Sequence, residues 1–156
     1  MRKMPKCFSS KKLSTFALAF VFMSDQLSKL FVLLYLRENI ALTPFFNIIL
    51  VQNRGVTFGL FEDTIPPVIL SLLALFIIAF LIVFMLKQQP YYRLPISVII
   101  GGAIGNIFDR IRFGAVTDFL DFHLYQYHWP AFNIADTAIV LGTFSLLIIS
   151  YIEEKK

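Results

Sequence analysis

The chain of 156 residues is 58% hydrophobic and 16% aromatic, with a mean hydropathy of +0.74, a composition that excludes an ordinary soluble domain and points to membrane residence. Its formal charge of +4 gathers at Arg2, Lys3, Lys6, Lys11 and Lys12, at Lys87 and Arg93, and at Lys155 and Lys156. That placement suits the ends of membrane spans and not a nucleic-acid surface. The lone Cys7 has no intrachain partner and is read as inert.

Crossing about 30 Å of hydrocarbon takes roughly 20 predominantly apolar residues in a helix. Four stretches meet that length, at 13–36, 65–86, 94–111 and 134–152. They make residues 1–156 one compact membrane domain with no room for a second. The basic clusters all fall on one side of this topology, which the positive-inside rule assigns to the cytoplasm together with both termini. In the first span Asp25 and Lys29 interrupt the apolar core, and no small-x-small site follows before Arg37. The span is therefore expected to be a retained helix and not a cleaved signal peptide. Asp25 and Lys29 lie four residues apart on one helical face, the spacing of a self-neutralising ion pair turned to the bundle interior, with a functional role left open.

Segments 37–64 and 112–133 fall on the extracytoplasmic side, and neither is an ordinary hydrophilic loop. The first contains a β-prone run, Phe45, Phe46, Ile48, Ile49, Leu50 and Val51, that ends on the turn signal Asn53-Arg54-Gly55. The second carries an interfacial aromatic belt of Phe122, Tyr125, Tyr127 and Trp129. In the third span Gly101 and Gly105 have the small-xxx-small spacing that lets a neighbouring backbone approach closely. Asn106, Asp109 and Arg110 crowd its outer end, where a satisfied helix terminus explains them and Arg110 can snorkel to the interface. The fold expected is an all-α membrane protein of four transmembrane helices, with a small extracytoplasmic β-rich loop segment and a second interfacial loop.

Asp118 follows the third span and Asp136 opens the fourth, so both stand near the same depth and are able to meet. Structural roles exist for each: Asp118 as a solvated loop acid, and Asp136 in the first turn of a helix capped by Asn133. If they converge, like carboxylates about 3 Å apart share one proton near neutral pH. The helix end favours charge on Asp136 and leaves the proton to Asp118, and such a pair activates water and protonates a leaving amine. His123 and His128 lie five apart in an aromatic loop, a poor zinc pattern, and no phosphate-binding glycine loop is present. No metal or cofactor is expected.

Four segments, in this order, resemble the signature of bacterial lipoprotein signal peptidase, or signal peptidase II. They are DQLSK at 25–29, NRGVTFG at 53–59, GGAIGNIFDRIRFGAVTDF at 101–119 and FNIADTAI at 132–139. The resemblance implies an aspartic endopeptidase of the bacterial cytoplasmic membrane with Asp118 and Asp136 as its catalytic pair, in preference to Asp109 and Asp121. It also implies that Asp25, Lys29, Asn53, Gly55, Asn106, Arg110, Asn133 and Ala135 bind substrate or support the pair. The implied substrate is a prolipoprotein already carrying diacylglycerol on its lipobox cysteine, cut on the N-terminal side of that cysteine. Segment 37–64 is expected to form a cradle over it, where Val56 and Thr57 replace a common pair of alanines, and Ser28 replaces a common threonine. The partners expected are such substrates and membrane lipids, with no nucleic acid, and the chain is expected to act as a monomer. The alternatives are a small transporter or ion-relay subunit, which would place its acids at mid-bilayer, and a non-catalytic scaffold, which would tolerate Asp→Asn changes.

Overall fold

The computed structural model describes residues 11–55 and 65–155. Cys7, the basic residues at 2, 3 and 6, Val56, Thr57 and Lys156 lie outside the described residues, as does part of the expected cradle. The elements run α1 (Lys11–Tyr35), β1 (Ile40–Thr43), β2 (Phe46–Asn53), α2 (Pro67–Lys87), α3 (Arg93–Phe113), β3 (Val116–Leu124), β4 (Tyr127–His128) and α4 (Ile134–Glu154), with a 3-10 turn, Pro90–Tyr92, before α3. The helices match the four expected spans within two residues at each end, and all four are long and apolar enough to cross a membrane.

Their local signals explain their limits. Pro67 opens α2, where a missing N–H costs nothing. Gly114 closes α3 in the left-handed conformation, φ 68°, and its N–H returns to the Arg110 carbonyl at 3.0 Å. Asn133 caps α4 with Asp136 in its first turn, as expected, and the two side chains go further and form a reciprocal capping box.

Helix α3 is the centre of the bundle: 61% of its apolar window is buried, against 17–22% for the other three. Its glycines set this. A methyl group on Gly101 would stand 2.7 Å from the Leu18 carbonyl of α1, and one on Gly102 would stand 2.5 Å from the Ala135 carbonyl of α4. Both obstacles are backbone and cannot rotate away, so Gly102→Ala is expected to destabilise the protein by about 1–3 kcal/mol through overpacking. Thermal unfolding in detergent measures it, and an unchanged midpoint would remove the close-approach account. Helix α2 is apolar all round and buries little beyond Leu70, Ser71 and Ile78, which leaves residues such as Phe76 and Leu86 turned outward to lipid.

The two segments between spans form one antiparallel sheet in the order β1-β2-β3-β4. Phe46 stands opposite Phe122, Val51 opposite Asp118 and Asn53 opposite Val116, with a register irregularity between Ile48 and Val51. The later segment is thus more than an aromatic belt, because it supplies the strand that carries Asp118. Its partner strand lies some 70 positions upstream, as in Asn47 opposite Asp121. Phe132 closes the segment through hydrogen bonds with Leu120, N to O at 3.1 Å and O to N at 2.9 Å. Chain between β3 and α4 is thereby fastened beside Asp118.

Candidate active site

Asp118 leaves β3 and Asp136 leaves the first turn of α4, and both line one cavity of about 440 Å³ at the sheet end of the bundle. Asn53, Asn106 and Arg110 supply its remaining polar lining, while Val116, Trp129, Phe132, Val140 and Leu141 form apolar walls. Val140 and Leu141 are also among the exposed residues of α4, so the cavity reaches the outward side of that helix.

Three asparagines hold the carboxylates. Asn133 Nδ2 donates to Asp118 Oδ1 at 2.6 Å, Asn53 Nδ2 donates to Asp118 Oδ2 at 2.9 Å, and Asn106 Nδ2 donates to Asp136 Oδ1 at 2.8 Å. Each amide is also fixed from behind through its oxygen. Gly55 N–H donates to Asn53 Oδ1 at 3.0 Å, Asp136 N–H to Asn133 Oδ1 at 2.9 Å, and Lys29 Nζ to Asn106 Oδ1 at 3.0 Å. With the oxygen occupied, the amide nitrogen is committed to the carboxylate.

The turn signal at Asn53-Arg54-Gly55 therefore has both of its readings at once: a side-chain turn on Gly55 and a donor aimed at Asp118. Gly55 is buried, and its carbonyl accepts from Arg110 Nη2 at 3.0 Å, which draws the end of β2 onto α3. Arg110 thus points into the cavity as well as occupying a helix end.

Asp118 is 2% exposed. Burial, and next the charge of Asp136, push its carboxyl up to about 7 against the donors from Asn53 and Asn133. Asp121, three residues along the same strand, differs. Burial works against its charge too, but hydrogen bonds from His128 and Asn47 outweigh it and hold the carboxyl below the usual carboxylate range. His128 contacts Asp121 Oδ1 at 2.9 Å and stacks on His123 with 4.9 Å between ring centroids.

Beneath the cavity Asp25 and Lys29 form the expected ion pair at 2.8 Å, and both are buried. The pair is one part of a larger cluster. Lys29 also reaches Asp109 Oδ2 at 3.0 Å, and Asp25 Oδ1 accepts the Ala135 N–H of α4 at 2.9 Å. Ala135 is fully buried, and the gap beside it is narrow: a methyl on Gly105 would stand 2.6 Å from Asp25 Oδ2 and 3.6 Å from Ala135 Cβ.

Asp109, assigned above to a helix end, is buried; it accepts from Thr117 N–H at 3.0 Å and from Gln26 Nε2 at 3.1 Å. Asp109, Gln26 and Thr117 are the members of this network that spacing did not single out. A signal was present, since Gly101, Gly105 and Asp109 recur every four residues and continue one face of α3 toward α1.

Four spanning helices around a buried polar core, with two carboxylates facing one cavity, form the arrangement that a membrane-embedded protease of the paired-carboxylate class would need. The comparisons narrow the class. Residues 17–152 match the family described as Signal peptidase (SPase) II. The lipoprotein signal peptidase of Syntrophotalea carbinolica (strain DSM 2380) is 41% identical over 131 residues, 80% of this chain and 81% of the relative. That of Burkholderia mallei (strain SAVP1) is 43% identical over 133 residues, 81% and 80% of the two chains. A bacterial membrane enzyme solved by the in meso method at 2.3 Å superposes with a TM-score of 0.82 at 28% identity, covering 94% of this chain and 91% of the other. The chain belongs to the signal peptidase II family. It is a protease and a multi-pass protein of the bacterial inner membrane.

Proposed function

We propose that the chain removes signal peptides from diacylglyceryl-modified prolipoproteins, cutting on the N-terminal side of the lipidated cysteine with water activated by Asp118 and Asp136. The observation that carries the proposal is the pair itself: two carboxylates on one cavity, each held by an amide donor whose orientation is fixed from behind. Asp136 takes a proton from the water as its oxygen attacks the scissile carbonyl carbon. Asp118 donates its proton to the carbonyl oxygen. Collapse of the resulting diol breaks the C–N bond: Asp136 passes its proton to the leaving amine, and Asp118 recovers one from the diol hydroxyl. Arg110, with a hydrogen bond to the Gly55 carbonyl, lines the same cavity and is placed to orient the substrate chain.

The substrate class follows from access. A signal helix with acyl chains at its end stays in the bilayer, and the apolar wall of Val140 and Leu141 offers it an entrance from the lipid side. Lys11, Lys12, Lys87, Arg93 and Lys155 stand at the end of the bundle opposite the sheet, which supports cytoplasmic termini and an extracytoplasmic active site. Action as a single domain and as a monomer is part of the same proposal. An ion relay is not favoured, because the carboxylates gather at one end of the bundle.

Purified protein incubated with lipidated and unlipidated forms of one prolipoprotein, with products weighed by mass spectrometry, tests this. The lipidated form alone is expected to be cut, next to the modified cysteine; equal cutting of both would remove the lipid requirement. The pH profile is a second check. Protonated Asp118 is the required acid, so kcat/KM is expected to fall about tenfold per pH unit above a limb near the value of about 7 set by its surroundings. The limb belongs to the coupled pair. Asn53→Ala removes a donor that favours the carboxylate and should move the limb upward; a flat profile, or a downward shift, contradicts the assignment.

A further inference from the structure

We propose that Asp109 is a positioning residue for both members of the pair, holding Asp118 through the Thr117 backbone and Asp136 through Lys29 and Asn106. The proposal rests on Asp118 and Asp136 being the hydrolytic pair. Its first arm is short. Thr117 immediately precedes Asp118 and is fully buried, and its N–H donates to Asp109 Oδ2 at 3.0 Å across the left-handed turn at Gly114. A strand N–H turned away from its partner strand ordinarily needs water or a further strand. Here a helix carboxylate eight residues upstream supplies the acceptor, and so fixes the peptide plane from which Asp118 departs.

The second arm uses the same oxygen. Asp109 Oδ2 holds Lys29 Nζ at 3.0 Å, and Lys29 Nζ donates to Asn106 Oδ1 at 3.0 Å, which leaves Asn106 Nδ2 to donate to Asp136 Oδ1 at 2.8 Å. One carboxylate therefore joins a strand-borne acid to a helix-borne acid. Asp25 does not duplicate it, because its free oxygen is committed to the Ala135 N–H at 2.9 Å. Asp109 is not among the residues that line the cavity and, in the mechanism above, does not meet the reacting atoms.

The test compares Asp109→Ala, Asp109→Asn and Asp118→Asn as purified full-length proteins, with kcat and KM for a diacylated prolipoprotein and thermal unfolding on each sample. Displacing a reacting group by about 1 Å costs on the order of 100-fold in rate, so Asp109→Ala is expected to lower kcat by about that factor and to leave KM within about threefold. The folded yield should survive, because Lys29 keeps Asp25 as its counter-charge. Asp109→Asn still offers an oxygen to Thr117 N–H and is expected to recover about tenfold of the lost kcat. Three results overturn the proposal: a wild-type kcat in Asp109→Ala, a loss carried by KM or by folded yield alone, or equal losses in Ala and Asn. Activity in Asp118→Asn would instead overturn the hydrolytic pair, whereas an active Asp109→Ala beside an inactive Asp118→Asn removes only the positioning role.

Discussion

Asp118→Asn and Asp136→Asn are each expected to lower the rate of prolipoprotein cleavage by about 10³-fold or more, with the protein still folded. Positioned acid–base groups contribute roughly 10²–10⁴-fold apiece, and the two act on the same water and the same carbonyl, so neither substitutes for the other. The environment makes the substitution worse than a simple loss of charge. Both oxygens of Asp118 receive N–H donors, from Asn133 at 2.6 Å and Asn53 at 2.9 Å, and neither asparagine is able to turn its oxygen around. An Asn at 118 would set one NH2 group against another. Asp136→Asn likewise disturbs the capping box, because the Asn133 N–H donates to Asp136 Oδ2 at 3.3 Å. Thermal unfolding beside the cleavage assay separates the two effects. Full activity in either folded variant would falsify the mechanism.

Lys29→Met is expected to destabilise the protein by about 3–5 kcal/mol, the cost of breaking a buried ion pair by removing one partner. Lys29 is 2% exposed and Asp25 and Asp109 are 0% and 1% exposed, so the substitution strands two carboxylates with no water to receive them. It also takes one of two donors from Asn106 Oδ1, leaving Asn133 Nδ2 at 3.2 Å to hold the amide. The triple variant Asp25→Asn, Lys29→Met, Asp109→Asn leaves no unpaired charge and should regain much of the unfolding temperature without regaining activity. Should Lys29→Met unfold at the wild-type temperature, the buried cluster carries none of the stability assigned to it.

Much of the molecule was legible in the chain. The spans followed from length and apolarity, and the Asn133 cap with Asp136 in the first turn of α4 from their spacing. The Asp25 and Lys29 pair followed from a repeat of four on one helical face. The sheet was half legible: β2 announced itself as an apolar run ending on a turn, but β3 was masked by aromatic residues that also suit a membrane interface. Asp109 was passed over because a carboxylate near a helix terminus has an ordinary explanation, and its partners sit on α1 and β3, distant along the chain.

The sequence by itself determined what must enter the bilayer, since hydrocarbon accepts a helix only when about 20 residues are mostly apolar and every backbone group is bonded within it. It also determined that the acids in and beside those spans need partners, because uncompensated charge in an apolar interior is costly. Tertiary structure alone decided which partners they have. The glycine face of α3 brings α1 and α4 close enough for Lys29, Asp109, Asn106 and Asn133 to join one network. The pairing of β2 with β3 then turns Asn53 onto Asp118. Hydrogen bonds of about 3 Å depend on where backbones come to rest across the bundle, and no spacing along a single chain encodes that distance.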